Sequence, residues 1–149
     1  MRAVAQRVRE ARVEVSGACV GAIDFGLLVY LGVGKGDGPS EVRWMADKLA
    51  GLRIFEDEAG KLARSVSDAR GQVLVVSQFT LYGDIRKGRR PSFDRAAPPE
   101  LAEQLYLEVC GELRTRGLTV ATGQFRSTMQ VHACVDGPVT LVLDHEKSF

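Results

Sequence analysis

The chain has 149 residues, 20 Lys+Arg against 19 Asp+Glu, and a formal net charge of +1. Its 45% hydrophobic and 26% charged residues are the balance of a soluble globular domain and exclude disorder as the main state. No stretch approaches the ~20 apolar residues of a membrane span, and the near-zero charge leaves any nucleic-acid contact to a local basic patch.

Residues 1–34 read as strands. Val4, Val8, Val13 and Val15 sit among polar neighbours, and Leu27 to Val33 is a continuous apolar run. A turn follows over Gly34-Lys35-Gly36-Asp37-Gly38-Pro39. Ser40 is the expected cap of a helix over 41–52, where Val42, Met45, Leu49 and Leu52 recur at helical spacing. Residues 56–72 are polar, with a short strand near Leu62. Val73 to Val76 predicts a buried strand that runs into Ser77-Gln78-Phe79-Thr80-Leu81. Residues 83–99 form a basic loop, longer than most structureless loops. Pro98-Pro99-Glu100 opens a second helix carrying Leu101, Leu105, Val109 and Leu113 on one face, and Gly117 stops it. Residues 118–123, 127–135 and 139–144 read as three closing strands, with Gly137-Pro138 separating the last two. This order predicts a single compact domain over 1–149 of the α+β (mixed α/β) class, its β-sheets layered with two main helices. A chain of this length buries roughly two-thirds of its unfolded surface and needs no staples.

The N-terminal MRAVAQRVREARVEV has no apolar run like that of a signal peptide, so a cytoplasmic location is expected. Cys19, Cys110 and Cys134 are odd in number, far apart and without a CxxC, which predicts reduced thiols. His132 and His145 are the two histidines, and with scattered carboxylates they give no metal motif, so neither metal nor cofactor is expected. Either histidine can be paired on paper with Ser77, Thr80 or a cysteine as a hydrolytic dyad, since catalytic partners need not be close in sequence. Gly32-Val33-Gly34-Lys35-Gly36 follows a strand, but the spacing of a phosphate-binding loop fails because Lys35 is followed by Gly36. Arg86-Lys87-Gly88-Arg89-Arg90 is a basic cluster suited to phosphate contact, while aromatic interleaving is thin, with Tyr82 before it and Phe93 after.

Two segments are more specific: Ser77-Gln78-Phe79-Thr80-Leu81 at the end of a buried strand, and Asp136-Gly137-Pro138-Val139-Thr140 near the C-terminus. Together they resemble the two signatures of the D-aminoacyl-tRNA deacylase family. Gln6-Arg7-Val8, Leu52-Arg53-Ile54-Phe55, Arg89-Arg90-Pro91-Ser92-Phe93, Thr122-Gly123, Phe125 and Met129-Gln130-Val131 extend the likeness along nearly the whole chain. The resemblance implies an enzyme that hydrolyses the ester of D-aminoacyl-tRNA, with glycyl-tRNA as a secondary substrate. It also implies a homodimer with the active site at the interface and no membrane association. Ser77, Gln78, Phe79 and Met129 would bind substrate in one subunit. Gly137 and Pro138, joined by a cis peptide, would reach in from the other and reject L-side chains. The Phe79 N–H is the expected oxyanion anchor, Thr80 the one hydroxyl available as a nucleophile, and the RNA 2′-hydroxyl an assistant. Arg86, Lys87, Arg89 and Arg90 are candidates for tRNA phosphates.

The sequence departs from the family pattern at Ala63-Arg64, Arg126-Ser127, His132 and Val135. Ser77 favours the D-specific branch over a related one that clears L-alanine and carries Pro-Gln in place of Ser-Gln. Two other readings stand beside the deacylase: a tRNA-binding protein with weak or no turnover, and a Ser/Thr–His esterase.

Overall fold

In the computed structural model, which describes residues 1–148, the apolar alternation after Met1 becomes β1 (Arg2–Val15). β1 is the spine of the sheet. On one side it pairs antiparallel with β3 (Gly26–Gly32) and, further along, with β2 (Ala18–Ile23). On the other it pairs with β8 (Gln130–Asp144) over almost its full length. β3 runs parallel to β6 (Gln72–Ser77), which runs parallel to β7 (Val120–Thr122). Parallel neighbours need crossovers. The first contains α1 (Pro39–Gly51) and the small hairpin β4 (Phe55–Glu56) and β5 (Leu62–Arg64); the second contains α2 (Pro99–Thr115).

Both helices lie where their apolar periodicity predicts. α1 buries Val42, Met45 and Leu49, and α2 buries Leu105, Val109 and Leu113. They cover one face of the sheet, over Ala3, Ala5, Leu27, Val29, Val73 and Val75. Gly117, at φ +83°, ends α2: its N–H donates to the Arg114 carbonyl and that of Leu118 to the Leu113 carbonyl, a Schellman ending. The Tyr106 hydroxyl donates to the Val75 carbonyl at 2.9 Å and pins α2 to β6. The expected Ser40 cap is corrected. The helix starts from Gly38, whose N–H donates to Glu41 Oε2 at 2.8 Å, while Ser40 Oγ donates to the other carboxylate oxygen. A glutamate reaching back does the work assigned to the serine.

The second face closes on itself. Val8, Ala11, Val13, Ile23, Leu28, Leu74 and Val76 form a second core there. The curl brings β2 against β7 so closely that a Cβ on Gly21 would lie 2.1 Å from the Thr122 carbonyl oxygen. Only glycine permits that approach.

The two C-terminal strands expected on either side of Gly137-Pro138 are one strand, because β1 pairs with both halves. The ladder pairs Gln6 with Thr140 and Val8 with Val135. Four residues of β8, 136–139, therefore stand opposite Arg7 alone, an enlarged bulge. The peptide Gly137-Pro138 in this excursion is cis.

Candidate active site

β6 is a buried apolar strand, and where it emerges at Ser77 the chain turns into a 3-10 helix, Phe79–Tyr82. The Gln78 N–H is tied to the Leu31 carbonyl at 2.8 Å, which fixes the start of this turn against β3. The first N–H groups of a helix lack intrahelical acceptors. Among the described residues nothing takes up the N–H of Phe79. Phe79 is 55% exposed, unusual for so large an apolar side chain, and its ring meets Phe93 edge to face at 5.0 Å.

Ser77, Gln78 and Phe79 form one wall of a cavity of about 710 Å³. Phe93 and Ala96, from the loop that leads to α2, form a second wall, and Phe125, Arg126 and Met129, from the segment before β8, a third. That segment is held by a turn in which the Ser127 N–H donates to the Gln124 carbonyl, and the Gln124 side chain donates to Ser127 Oγ at 2.8 Å. Arg126 occupies the third position of this turn at φ +58°. That position favours glycine or asparagine, and a left-handed backbone costs an L-residue about 1–2 kcal/mol.

The structure thus brings Ser77, Gln78, Phe79 and Met129 together. Thr80 lies beside them, and its Oγ1 accepts a hydrogen bond from Gln78 Nε2. No carboxylate or imidazole bonds to Thr80 among the described residues, so it has no evident base. The histidines lie elsewhere. His132 Nε2 is 3.4 Å from Glu14, facing a separate hollow of about 530 Å³ lined also by Arg12 and Asp24. A hydrogen bond from Arg12 draws the Glu14 carboxyl below its usual range. His145 stacks edge-on against Trp44 and approaches Glu41 at 3.7 Å. Neither histidine bonds to Ser77 or Thr80 among the described residues. Nor is any group of three or more His, Cys, Asp or Glu side chains there arranged to hold a metal ion.

Gly137 and Pro138 do not line the cavity of their own chain; they are exposed on the excursion of β8. A residue that the functional reading had passed over holds this excursion. Arg7 is buried, 6% exposed. It donates Nη1 to the Ile54 carbonyl at 2.9 Å and Nε to the Asp136 carbonyl at 3.2 Å, and its Nε is 3.5 Å from Asp136 Oδ2. Arg9 pairs with the other Asp136 oxygen at 3.3 Å. Val135, one of the departures noted in the sequence, is paired in register with Val8. Asp136 and Arg7 fix the turn instead. The sequence signal was an arginine placed among the inward residues of an alternating strand.

The basic loop is more ordered than its composition suggests. A bridge joins Asp84 to Ser92 within it, and a second joins Gly34 to Ala96. Arg86 is not a free cation: its Nε donates to both oxygens of Asp84 at 2.9 and 3.0 Å. This bond holds the Asp84 carboxyl well below the usual carboxylate range. Lys87, Arg89 and Arg90 are exposed and have no ion-pair partner among the described residues.

The chain is similar to known proteins along nearly its whole length. The sequence profile of the D-Tyr-tRNA(Tyr) deacylase family matches residues 4–144. A D-aminoacyl-tRNA deacylase of Thermotoga petrophila is 58% identical over 149 residues, all of both chains. One of Heliobacterium modesticaldum is 61% identical over 144 residues, 97% of this chain and 96% of that one. Among solved structures, one called c-Myc DNA unwinding element binding protein superposes with a TM-score of 0.91 at 42% identity, covering 97% of this chain and 98% of its own. A probable eukaryotic D-amino acid tRNA deacylase shares the fold, with a TM-score of 0.81 at 19% identity over 95% of this chain and 97% of that one.

Proposed function

Since the chain belongs to the D-Tyr-tRNA(Tyr) deacylase family and is a hydrolase of D-aminoacyl-tRNA, we propose that its active site is completed by a second copy of the chain. One observation carries this reading. The Ser77–Phe79 wall with its free N–H belongs to a cavity that the same chain's Gly137 and Pro138 do not reach. β8, which bears them, leaves Val135, Leu141 and Val142 exposed at 36%, 37% and 57%, and among the described residues it pairs with β1 alone. A long strand with an open edge and exposed apolar side chains is suited to cover by another copy.

In this reading the terminal nucleoside of tRNA enters the cavity, whose aromatic and methionine walls suit a planar base. The aminoacyl ester lies against Ser77, Gln78 and Phe79. Attack by water on the ester carbonyl builds negative charge on its oxygen, and the Phe79 N–H is placed to accept that charge as a hydrogen-bond donor. The attacking water loses its proton, and the ribose oxygen leaves with one. The neighbouring 2′-hydroxyl assists this transfer, so no protein base is required. Thr80 stays outside the chemistry. The partner's Gly137 and Pro138 occupy the space an L-side chain needs, leaving a D-side chain pointing outward and glycine unhindered. Lys87, Arg89 and Arg90 make salt-sensitive contacts to the acceptor end. The work belongs in the cytoplasm, where tRNA is charged, and needs no cofactor.

The test is subunit complementation. Gln78→Ala damages the cavity wall and Gly137→Val damages the screen. Each variant alone should lose activity or selectivity. Co-folded, one of the two sites in a mixed dimer is intact, so D-specific deacylation should return to about a quarter of the parent level by statistical pairing. No recovery on mixing, or a monomer at activity concentrations, would overturn the shared site.

A further inference from the structure

Among the described residues Arg126 is the sole charged one lining the 710 Å³ cavity; every other lining side chain is apolar or neutral. It is exposed and forms no ion pair and no side-chain hydrogen bond among the described residues. Its backbone, at φ +58°, sits in a left-handed position that a glycine would fill with less strain. A strained position held by an unpaired, exposed cation on the wall of an otherwise neutral cavity points to an anionic ligand group.

We infer that Arg126 is a substrate-positioning residue that grips the phosphate on the 5′ side of the terminal nucleoside. The inference rests on the deacylase reading and deepens it. A nucleoside ester in the cavity carries two charged neighbours. The α-ammonium of the amino acid is repelled by a guanidinium, and this places the ester at the Ser77–Phe79 wall, away from Arg126. The single phosphodiester linking the terminal nucleoside to the rest of the strand is the anion left to pair. A guanidinium forks onto two phosphate oxygens with more directional hold than an ammonium. Arg126 thereby sets the depth at which the nucleoside seats. It acts on binding and on register along the strand, and does not touch the scissile ester.

The test compares Arg126→Gly, which suits the turn, and Arg126→Lys, which keeps the charge. Each is assayed on two substrates: D-tyrosyl-tRNA, and D-tyrosyl-adenosine, which has no phosphate. For Arg126→Gly the KM for D-tyrosyl-tRNA should rise about tenfold with kcat unchanged, and the slope of log KM against log salt should fall by about 0.7, the signature of one single-strand phosphate contact. On D-tyrosyl-adenosine the same variant should change KM far less than on D-tyrosyl-tRNA and leave its salt dependence as in the parent. Arg126→Lys should recover part of the tRNA affinity. Equal effects of Arg126→Gly on both substrates, or none on either, would overturn the role. If the parent protein cleaves neither ester, the deacylase reading falls and this inference with it.

Discussion

Replacing Arg7 should separate what holds the excursion from what the excursion does. Arg7→Ala leaves the buried Ile54 carbonyl without its donor, a loss of about 1–3 kcal/mol. The carboxylates near Arg7 are more forgiving. Glu56 is 57% exposed, and Asp136 is 28% exposed and keeps Arg9, so their share is at most about 1 kcal/mol. The sum, about 1–4 kcal/mol, should lower the urea midpoint by roughly 0.5–2 M. Arg7→Lys keeps a cation but cannot fork to the Ile54 and Asp136 carbonyls together. It should lose less stability, yet free residues 136–139, which stand opposite Arg7 alone in the ladder. The readout is the ratio of kcat/KM for D-tyrosyl-tRNA to that for L-tyrosyl-tRNA, set beside the urea curve of each variant. We expect the ratio to fall at least about tenfold in Arg7→Lys, equivalent to about 1.4 kcal/mol of discrimination. An unchanged ratio in a destabilised variant would refute the link between Arg7 and the screen and leave Arg7 a fold residue only.

Gly21→Ala should destabilise the fold by about 1–3 kcal/mol or more in urea titration, because the new Cβ meets the Thr122 backbone; an unmoved midpoint would mean β2 does not lie against β7. Thr80→Ala and His132→Ala should each keep the D-tyrosyl-tRNA rate within a few-fold, where loss of a true nucleophile or base costs orders of magnitude. A large loss in either would revive the Ser/Thr–His esterase. Cys110 is fully buried and burial pushes its thiol up to about 11, so it should resist thiol reagents at pH 8 until the chain unfolds. The sign for stability follows from the neutral thiol being the favoured folded form. Its contribution is present below about pH 9, the unfolded value, and is lost as pH rises towards about 11. Cys110→Ala should flatten that alkaline limb, and fast labelling of native Cys110 would contradict its burial.

The helices were legible because their apolar residues recur at helical spacing and Gly117 supplies a left-handed ending that only its position could announce. The buried β6 and the Ser77–Phe79 wall were legible as a β-branched run that breaks into polar residues. Long-range pairing was not. Gly137-Pro138 reads locally as a turn between two strands, and it becomes an excursion within one strand only because β1, over 120 residues earlier in the chain, pairs on both sides of it. Arg7 was hidden for the same reason, since its acceptors are at Ile54 and Asp136. The Gly38 start of α1 depended on the reach of one glutamate, which spacing does not reveal. Arg86 could have been discounted from sequence, as Asp84 stands two residues before it and both face the same turn.

The most direct measurement is ester loss from D-tyrosyl-tRNA and L-tyrosyl-tRNA, side by side, with the purified protein and a control without it. The account predicts rapid loss of the D-ester and loss of the L-ester at the uncatalysed rate. Loss of both at equal rates would contradict the chiral screen, and loss of neither would contradict the deacylase.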